Sequence, residues 1–339
     1  MTQNTPLSLR PHLVRHHVQS AAQLRARGVS AAQTAAQCLP GGPWQQLLPG
    51  VYLLHPGPPT GEERLHGALL YAGRPPVSAR RSAAPAPAGP PYGEAMATGP
   101  AALTLYGFSS APPVASLHRI DVLVPRTRRL RSTGYVQVLR RAGLPRPVQV
   151  DGVPVAPVER ALADAVAGIT DGSMARRMLT EAVRGGHCEP AAVVRELSAA
   201  KLLGLAHVRE AVESLLAEGR AVAESRLYEM VRTRGLPAPL WNVDLRLPGG
   251  PRLGEVDAYW PDQAVAVEID SRTPSEDGEA HWSAYADKRD HLERLGITVV
   301  HVTAEKLRET LEQQATVVRT ALMAANDREP AAYVVILPR

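Results

Sequence analysis

Four carboxylates lie in the two apolar runs of GEVDAYWPDQAVAVEID, which spans Gly254 to Asp270, and a fifth, Asp262, lies in the turn between the runs. Its alternating apolar and polar residues predict two β-strands joined by a tight turn at Pro261-Asp262. Carboxylates are poor strand formers, and they are costly to bury unless they are paired or bound to a metal ion. The presence of the four acids in these strands therefore needs a physical reason. The acids are Glu255, Asp257, Glu268 and Asp270.

The pleat of the second predicted strand places its acids together. Side chains alternate across a strand, so Glu268 and Asp270 share a face, opposite to three apolar residues (Val265, Val267 and Ile269). The tight turn predicts that Asp257 lies roughly opposite Ala266, with Glu268 as its diagonal neighbour. Three carboxylates then converge and repel one another, which predicts a hard cation such as Mg²⁺ with Asp257, Glu268 and Asp270 as ligands. The alternative is a solvated strand edge that binds no metal.

The segments around the hairpin predict an α/β domain. An amphipathic helix begins at Ala221, and a strand follows it at Trp241–Leu247. After the hairpin come a helix at 283–295, a strand at 297–303 and a long helix at 304–325. The predicted order is therefore α-β-β-β-α-β-α.

The acids of this region resemble those of the PD-(D/E)XK nuclease-like fold, in particular the group related to very-short-patch repair endonucleases. The matching residues are Glu224 on the first helix, Asp257 on the second strand and Glu268-Ile-Asp270 on the third. The segment DKRDHLERLGITVVHVTAEKL (Asp287–Leu307) is similar to that group's helix-strand-helix ending, so the resemblance covers about 100 residues. It implies that Asp257 and Glu268 bind Mg²⁺, with Glu224 in support, and that the ion activates water to attack a phosphodiester.

The chain departs from that family at one side of the site. The general motif has a lysine two positions after its second acid, where this chain has Asp270, and Lys288 or Arg289 is expected to supply the missing positive charge. The group continues with a glycine and an aromatic-His pair, whereas Ser271-Arg272-Thr273-Pro274 follows here and the nearest such pair is His281-Trp282. The candidate catalytic residues are Glu224, Asp257, Glu268, Asp270, Lys288 and Arg289.

A repeated capping pattern marks the front of the chain, in VQSAAQLRARGVSAAQTAAQCL (Val18–Leu39). Ser20-Ala-Ala-Gln23 and Ser30-Ala-Ala-Gln33 both fit the capping box that begins a helix, and Gly28 fits a helix stop between them. This arrangement predicts a helix-turn-helix. The next segment, PWQQLLPGVYLLHPG, predicts a β-hairpin wing about Pro49-Gly50. Any small helical pair is the alternative, but it would not predict the wing.

The second of these helices offers few side chains for reading DNA. Gln33, Thr34 and Gln37 are its candidates for base contacts, and glutamine can read adenine. Phosphate contacts are expected from Arg25 and Arg27, together with Arg15. The adjacent pairs His16-His17 and His187-Cys188 lack metal-ligand spacing and are expected to be surface or core residues.

Three segments of the front half are similar to AbiEi-type antitoxins of type IV toxin–antitoxin systems. They are WQQLLPGVYLLHPG, TGPAALTLYGF (Thr98–Phe108) and DGVPVAPVERALAD (Asp151–Asp164). The resemblance implies a winged helix-turn-helix paired with a second domain, binding to the protein's own operator, and opposition to a nucleotidyltransferase-like toxin.

The middle of the chain is predicted to be mixed α/β. A helix is predicted at 62–72, a flexible Pro/Ala/Gly-rich loop at 75–100, and a capped helix at 98–107. Strands are predicted around Val122 and Val138, joined by the basic turn RTRRLRST. Helices follow at 158–167 and 173–184, and two more end near Ala217.

Charge and composition narrow the class of protein. Residues 1–223 hold 24 Lys and Arg against 14 Asp and Glu, and residues 224–339 hold 14 against 19, in agreement with the net charge of +5. A basic front half favours nucleic acid as a partner. Two cysteines make neither a disulfide framework nor a zinc site, and no apolar run predicts a membrane span or a secretory signal. The expected location is the cytoplasm.

The sequence thus predicts an α+β multidomain protein. Its parts are a winged helix-turn-helix at 1–57, a mixed α/β region at 61–220 and an α-β-β-β-α-β restriction-endonuclease-like domain at 221–327. Two functions are compatible with this plan: a DNA-binding transcriptional regulator with a degenerate nuclease-fold module, or a Mg²⁺-dependent endonuclease targeted by its front. The expected partners are double-stranded DNA and a nucleotidyltransferase-like toxin.

Overall fold

A computed structural model describes residues 16–74, 90–270, 278–325 and 334–338, without the side chains of residues 278–285 and 338. The chain divides into two compact units, Met1–Met178 and Leu179–Arg339. Helices and three β-sheets make up the described residues, which confirms the α+β class. Within these ranges, no helix combines the length and the apolar character needed to cross a membrane.

The first unit begins with the predicted pair of helices, α1 (Ala21–Ala26) and α2 (Ala31–Gln37). In both, the serine hydroxyl accepts from the amide three residues on at 3.2 Å, and the glutamine side chain accepts from the serine amide. Gly28 in the turn has a φ of +84°, a conformation that costs glycine little. Both predicted capping boxes are therefore confirmed.

A three-stranded antiparallel sheet accompanies these helices. It consists of β1 (Val18–Ser20), β2 (Gln45–Leu48) and β3 (Val51–Leu53), in the order β1-β3-β2. The predicted hairpin about Pro49-Gly50 is confirmed as β2 and β3. The pairing of β1 with β3 was not predicted.

Helix α3 (Gly61–Gly73) is buried on nearly all of its faces. Its side chains, among them Leu65 and Leu69, share one hydrophobic core with Leu53 of the first sheet and with Val122 of a second sheet. The first sheet, α3 and part of the second sheet therefore share one core, while Met96, Leu123 and Ala156 form a separate cluster.

The second sheet of this unit has five strands, in the order β6-β5-β4-β8-β7. They are β4 (Met96–Thr98), β5 (Ile120–Pro125), β6 (Val136–Arg141), β7 (Val148–Val150) and β8 (Val153–Val155). Two predictions need correction here. Strand β4 lies inside the stretch predicted as a loop, whose residues 75–89 fall outside the described ranges. In addition, β5 and β6 are parallel, so the basic segment between them is not a hairpin turn.

Two helices, α4 (Gly99–Leu105) and α5 (Val158–Val166), adjoin this sheet. The prediction of a capped helix at α4 was wrong about the cap, because Thr98 makes no side-chain capping bond. Its hydroxyl donates instead to the Asp164 carboxylate of α5, with an O···O distance of 2.6 Å. The hydroxyl thus bonds a distant carboxylate rather than accepting from a backbone amide of its own helix.

Helix α6 (Gly172–Arg184) spans the division between the units, and α7 (Pro190–Ala199) and α8 (Ala206–Thr233) follow. The separate helices predicted on either side of residues 217–221 are one 28-residue helix, α8. Gly219 does not end it. A Cβ there would lie 2.5 Å from the ring Cγ of Pro190, so glycine provides room for the start of α7.

The second unit contains a five-stranded mixed sheet in the order β12-β11-β10-β9-β13. Its strands are β9 (Leu240–Arg246), β10 (Arg252–Trp260), β11 (Val265–Asp270), β12 (Thr298–Thr303) and β13 (Val335–Pro338), and only β11 and β12 run parallel. The helices are α9 (Gly278–Arg294), α10 (Ala304–Glu309) and α11 (Leu311–Ala325). The predicted order of elements is confirmed, but the last predicted helix is interrupted at Thr310, and β13 was not predicted.

The alternation predicted for β11 is confirmed by its packing. Val265, Val267 and Ile269 belong to a cluster that includes residues of α8, α10 and α11. Ala266 belongs to another cluster, with Leu292 of α9. The sheet is therefore covered on both faces.

The register predicted for the hairpin was wrong by two residues. The loop has four residues, Pro261 to Ala264, and Tyr259 rather than Asp257 pairs with Ala266. Ala264 has a φ of +49°, which is uncommon for a residue other than glycine, so the sequence predicted a shorter turn. The shift is even and keeps every side chain on its predicted face. It brings Asp257 next to Glu268, one step beyond the Ala258–Val267 pair.

Candidate functional site

Asp257 on β10 is buried, with 7% of its surface exposed. One carboxylate oxygen accepts from the Ile269 amide at 2.7 Å, and the other accepts from Arg220 Nη2 at 2.6 Å. Arg220 also donates from Nε to Glu224 Oε1 at 2.8 Å, so a single guanidinium joins two acids of the predicted site. Arg220 and Glu224 are one turn apart on α8, and an i, i+4 pair of this kind was readable from the sequence.

Burial raises the pKa of Asp257, and the Ile269 amide and Arg220 oppose that rise. The charges of Glu224 and Glu268 raise the pKa further. The desolvation and the two neighbouring carboxylates therefore outweigh the hydrogen bond and the guanidinium. An ionised Asp257 is held at a cost, which an additional cation at the site would reduce.

Glu268 on β11 is paired with Lys288 of α9. The ammonium group donates to Glu268 Oε1, and also to the Glu255 backbone carbonyl at 2.6 Å. His301 Nδ1 on β12 lies 3.8 Å from Glu268 Oε2. The lysine stem passes over Gly254, where a Cβ would lie 2.5 Å from Lys288 Cε. Gly254 thus leaves the space that Lys288 needs.

Four of the six candidate catalytic residues lie in two pairs, each joined by hydrogen bonds. Glu224 and Asp257 share Arg220, while Glu268 contacts Lys288. Arg289 lies elsewhere: its guanidinium is 3.4 Å from Asp290 and 3.8 Å from Glu293. Arg220 and His301 were missed because their approach to Asp257 and Glu268 depends on long-range packing.

Asp270 is half-buried at the end of β11, where it pairs in register with Thr303. Among the described residues, only one group of three potential ligands has all its ligand atoms within 4.8 Å of one another, and it does not contain the hairpin acids. Asp257, Glu268 and Asp270 are thus not gathered into one compact cluster. The segment Ser271–Pro274 and the side chains of His281 and Trp282 lie outside the described residues.

The residues that fit a hard cation best are Asp257 and Glu268, because they are adjacent and offer carboxylate oxygens. Their present partners, Arg220 and Lys288, neutralise the charge that a metal ion would otherwise neutralise. A cation would have to displace or rearrange at least one of these contacts. The Mg²⁺ site therefore stays a prediction.

The proposed DNA-reading side chains on α2 divide into exposed and buried residues. Gln33 and Gln37 are exposed, although the Gln33 Oε1 atom already accepts from the Ser30 amide at 2.8 Å. Thr34 is buried, and its hydroxyl donates to the Ser30 carbonyl at 3.0 Å. The prediction that Thr34 contacts bases was wrong, since it faces the interior.

The predicted phosphate contacts lie on and just after α1. Arg25 and Arg27 are exposed, and Arg25 Nε donates to the Ala21 carbonyl at 3.2 Å. Arg15, the third arginine predicted to contact phosphate, lies outside the described residues.

A cluster that the sequence did not predict joins His17, His55 and Glu63 in the first unit. His17 Nδ1 lies 3.1 Å and His55 Nε2 lies 3.0 Å from the same atom, Glu63 Oε1. His17 had been expected to be an ordinary surface or core residue because its neighbour His16 gave no ligand spacing. His17 lies 46 positions before Glu63, so only the fold brings it to the other two residues.

Comparison with known proteins places this chain in no family. No protein-family model matches the sequence, and no curated protein matches it. The function is therefore inferred from the residues and their geometry.

Proposed function

We propose that this protein is a DNA-binding transcriptional regulator resembling type IV antitoxins. In this proposal, the first unit carries a winged helix-turn-helix, and the second carries a PD-(D/E)XK nuclease-like domain. The observation that carries it is the arrangement of α1 and α2, each begun by a capping box and followed by a hairpin in a β1-β3-β2 sheet. A helix pair with an attached hairpin is the arrangement expected of a winged helix-turn-helix.

The surface of α2 supports a role in a DNA groove. Its exposed residues are small or carry amides: Ala31, Ala32, Gln33, Ala35, Ala36 and Gln37. Glutamine can donate to and accept from adenine, and alanine can contact the methyl group of thymine. Small side chains also permit close approach to base edges. The exposed Arg25 and Arg27 supply positive charge for phosphate contacts.

The proposed partner is double-stranded DNA, read at the protein's own operator. The resemblance to antitoxins adds a nucleotidyltransferase-like toxin as a second proposed partner. The nuclease-like domain would then hold DNA without cleaving it, because Arg220 already neutralises two of its acids, Asp257 and Glu224.

The test is a binding measurement on the full chain. A preferred duplex is first selected from a random pool, and affinity is then measured by fluorescence anisotropy at several salt concentrations. Log affinity should fall linearly with log salt. Replacing both Arg25 and Arg27 by alanine should weaken binding to all duplexes and flatten that slope, whereas Arg209→Ala, an exposed arginine on α8, should not.

The glutamines test sequence reading separately from phosphate binding. Gln33→Ala or Gln37→Ala should reduce the preference for the selected duplex by about 1–3 kcal/mol while leaving affinity for random DNA nearly unchanged. Gln313→Ala, on the exposed side of α11, is the matched control. If all these variants bind as the wild type does, DNA contact by α1 and α2 is refuted.

A second candidate function is a Mg²⁺-dependent DNA endonuclease. The observation that favours it is the contact of Lys288 with Glu268, which places a positive charge beside an acid of the proposed site. When bound by Asp257 and Glu268, the ion would supply an activated water nucleophile. Lys288 would stabilise negative charge that develops on the phosphate, and Glu224 would orient Arg220.

Plasmid nicking distinguishes the two functions. An endonuclease converts supercoiled plasmid to nicked or linear forms with Mg²⁺ or Mn²⁺ and not with EDTA. Glu268→Gln should abolish that activity, and Glu312→Gln, an exposed acid on α11, should retain it. Wild-type protein that binds DNA but never nicks it supports the regulator.

A further inference from the structure

Three ligand-bearing side chains meet at the junction of the first sheet and helix α3. His17 immediately precedes β1, His55 lies two residues beyond β3, and Glu63 is in the first turn of α3. Nitrogen atoms of both rings lie within 3.1 Å of Glu63 Oε1. The ring centroids are 5.5 Å apart, and the ring planes are inclined by 80°. The three side chains thus converge on one point from three elements.

The backbone fixes each of these side chains in place. The Leu54 amide donates to the His17 carbonyl at 2.7 Å, which extends the β1–β3 ladder and holds both histidine segments side by side. The Thr60 amide donates to Glu63 Oε2 at 2.8 Å in a capping box, so one carboxylate oxygen is anchored and the other faces the rings. A fixed outer hydrogen bond of this kind orients a metal ligand.

The carboxylate of this cluster is buried, and the two imidazole rings are partly exposed to solvent. The Glu63 side chain is 4% exposed, whereas those of His55 and His17 are 30% and 48% exposed. The acid is therefore held inside, and solvent can reach the point of convergence from the side of the rings. The backbone hydrogen bond from Thr60 and the bonds from His55 and His17 outweigh the effect of burial and lower the pKa of Glu63.

We propose that His17, His55 and Glu63 bind one borderline divalent transition-metal ion of the Zn²⁺ type. Two imidazole nitrogens and one carboxylate oxygen form a ligand set that Zn²⁺ accepts, with a fourth position open to water. Mg²⁺ prefers an all-oxygen set and is expected to bind here poorly. The site does not depend on the proposed DNA binding. Its ion would tie the strands that flank α1 and α2 to helix α3.

The direct test is metal binding by the full chain after treatment with EDTA and removal of the chelator. Zn²⁺ should bind with one-to-one stoichiometry in calorimetry and raise the unfolding temperature of the protein. Co²⁺ should give the strong visible absorption of a four-coordinate ion, and Zn²⁺ should displace it. Absence of stoichiometric binding, or only the weak spectrum of six-coordinate Co²⁺, would overturn the proposal.

Variants locate the ion. His17→Gln and His55→Gln should each weaken Zn²⁺ binding by at least about 100-fold, since loss of an outer partner alone already costs 10–100-fold. His118→Gln, an exposed histidine of the same unit, should bind Zn²⁺ as the wild type does. Undiminished binding by the His17→Gln, His55→Gln double variant would refute this location.

The variant Glu63→Gln tests whether a loss of metal binding could be due to misfolding. Glutamine is also accepted at the third position of a capping box, so α3 should still begin at the same residue. This variant should keep the circular dichroism spectrum of the wild type and lose the Co²⁺ absorption. Retention of that absorption would show that the carboxylate is not a ligand.

Discussion

Replacing Lys288 by methionine should destabilise the second unit, because it leaves the Glu268 carboxylate on β11 without its ammonium partner. The Lys288 side chain is 26% exposed and that of Glu268 is 9% exposed, so the pair is mostly shielded from water. Removing one partner of a buried ion pair costs about 3–5 kcal/mol. Because Lys288 is partly solvated and His301 Nδ1 remains 3.8 Å from Glu268, we expect a smaller loss than this, about 2–3 kcal/mol. Methionine keeps the apolar stem over Gly254.

Urea denaturation at pH 7 measures this loss for the transition that unfolds the second unit. Glu268→Gln and the double variant complete a double-mutant cycle, and the double variant should lose less than the sum of the single losses by at least about 1 kcal/mol. Lys306→Met, at an exposed lysine on α10, should stay within about 0.5 kcal/mol of the wild type.

Divalent cations should then stabilise Lys288→Met more than they stabilise the wild type. If the vacated space binds Mg²⁺, an ion concentration 100 times the Kd contributes about 2.7 kcal/mol. The double variant with Glu268→Gln should lose this response. The reasoning is refuted if Lys288→Met is as stable as Lys306→Met, or if the two losses at Lys288 and Glu268 simply add.

Three further predictions concern single residues of the two units. Gly254→Ala should destabilise the second unit by about 2–3 kcal/mol in urea denaturation, because φ is +127° and the new Cβ would collide with the Lys288 stem. Gly143→Ala is the control, since a Cβ at that position would meet no other atom of the described residues within 4 Å. Equal losses in the two variants would contradict the close approach of Lys288 to Gly254. Burial raises the pKa of Asp257 above 3.8, so the folded state binds the proton more tightly than the unfolded state does. The stability of the wild type relative to Asp257→Asn should therefore fall as pH rises from below 3.8 through the pKa of the folded state. A pH-independent difference would contradict it. Thr98→Val should cost about 2 kcal/mol, since the hydrogen bond from the buried Thr98 hydroxyl to the Asp164 carboxylate is lost. A loss no larger than that of the exposed Ser116→Ala would count against that bond.

Local signals in the sequence predicted the elements but not their partners. The capping boxes at Ser20 and Ser30 satisfy amides within three residues, so α1 and α2 could be located from the sequence. The pattern of β11 was equally local, because alternation depends only on the pleat. Strand β4 could not be recognised, since three residues become a strand only when β5 and β8 flank them.

The candidate site shows the same division between local and long-range information. Lys288 was considered as a source of positive charge, and its contact with Glu268 is present. The reach of Arg220 to Asp257 crosses 37 positions of the sequence, and no local pattern predicts it. The hairpin register failed because Ala264 adopts a positive φ that alanine rarely shows. The His17–His55–Glu63 cluster depends on the pairing of β1 with β3, which no turn residue indicates.

The length of α8 limits how this protein can be recombined with others. The helix spans 28 residues, about 42 Å, and Arg220 lies near its midpoint. Inserting or deleting one residue before Arg220 would rotate its side chain by about 100° around the helix axis and carry it away from Asp257. A chimaera joined at residue 221 would keep the strands of the second unit but take the preceding part of α8, including position 220, from another protein. A transplantable module should instead begin before Ala206, in the short connection that follows α7.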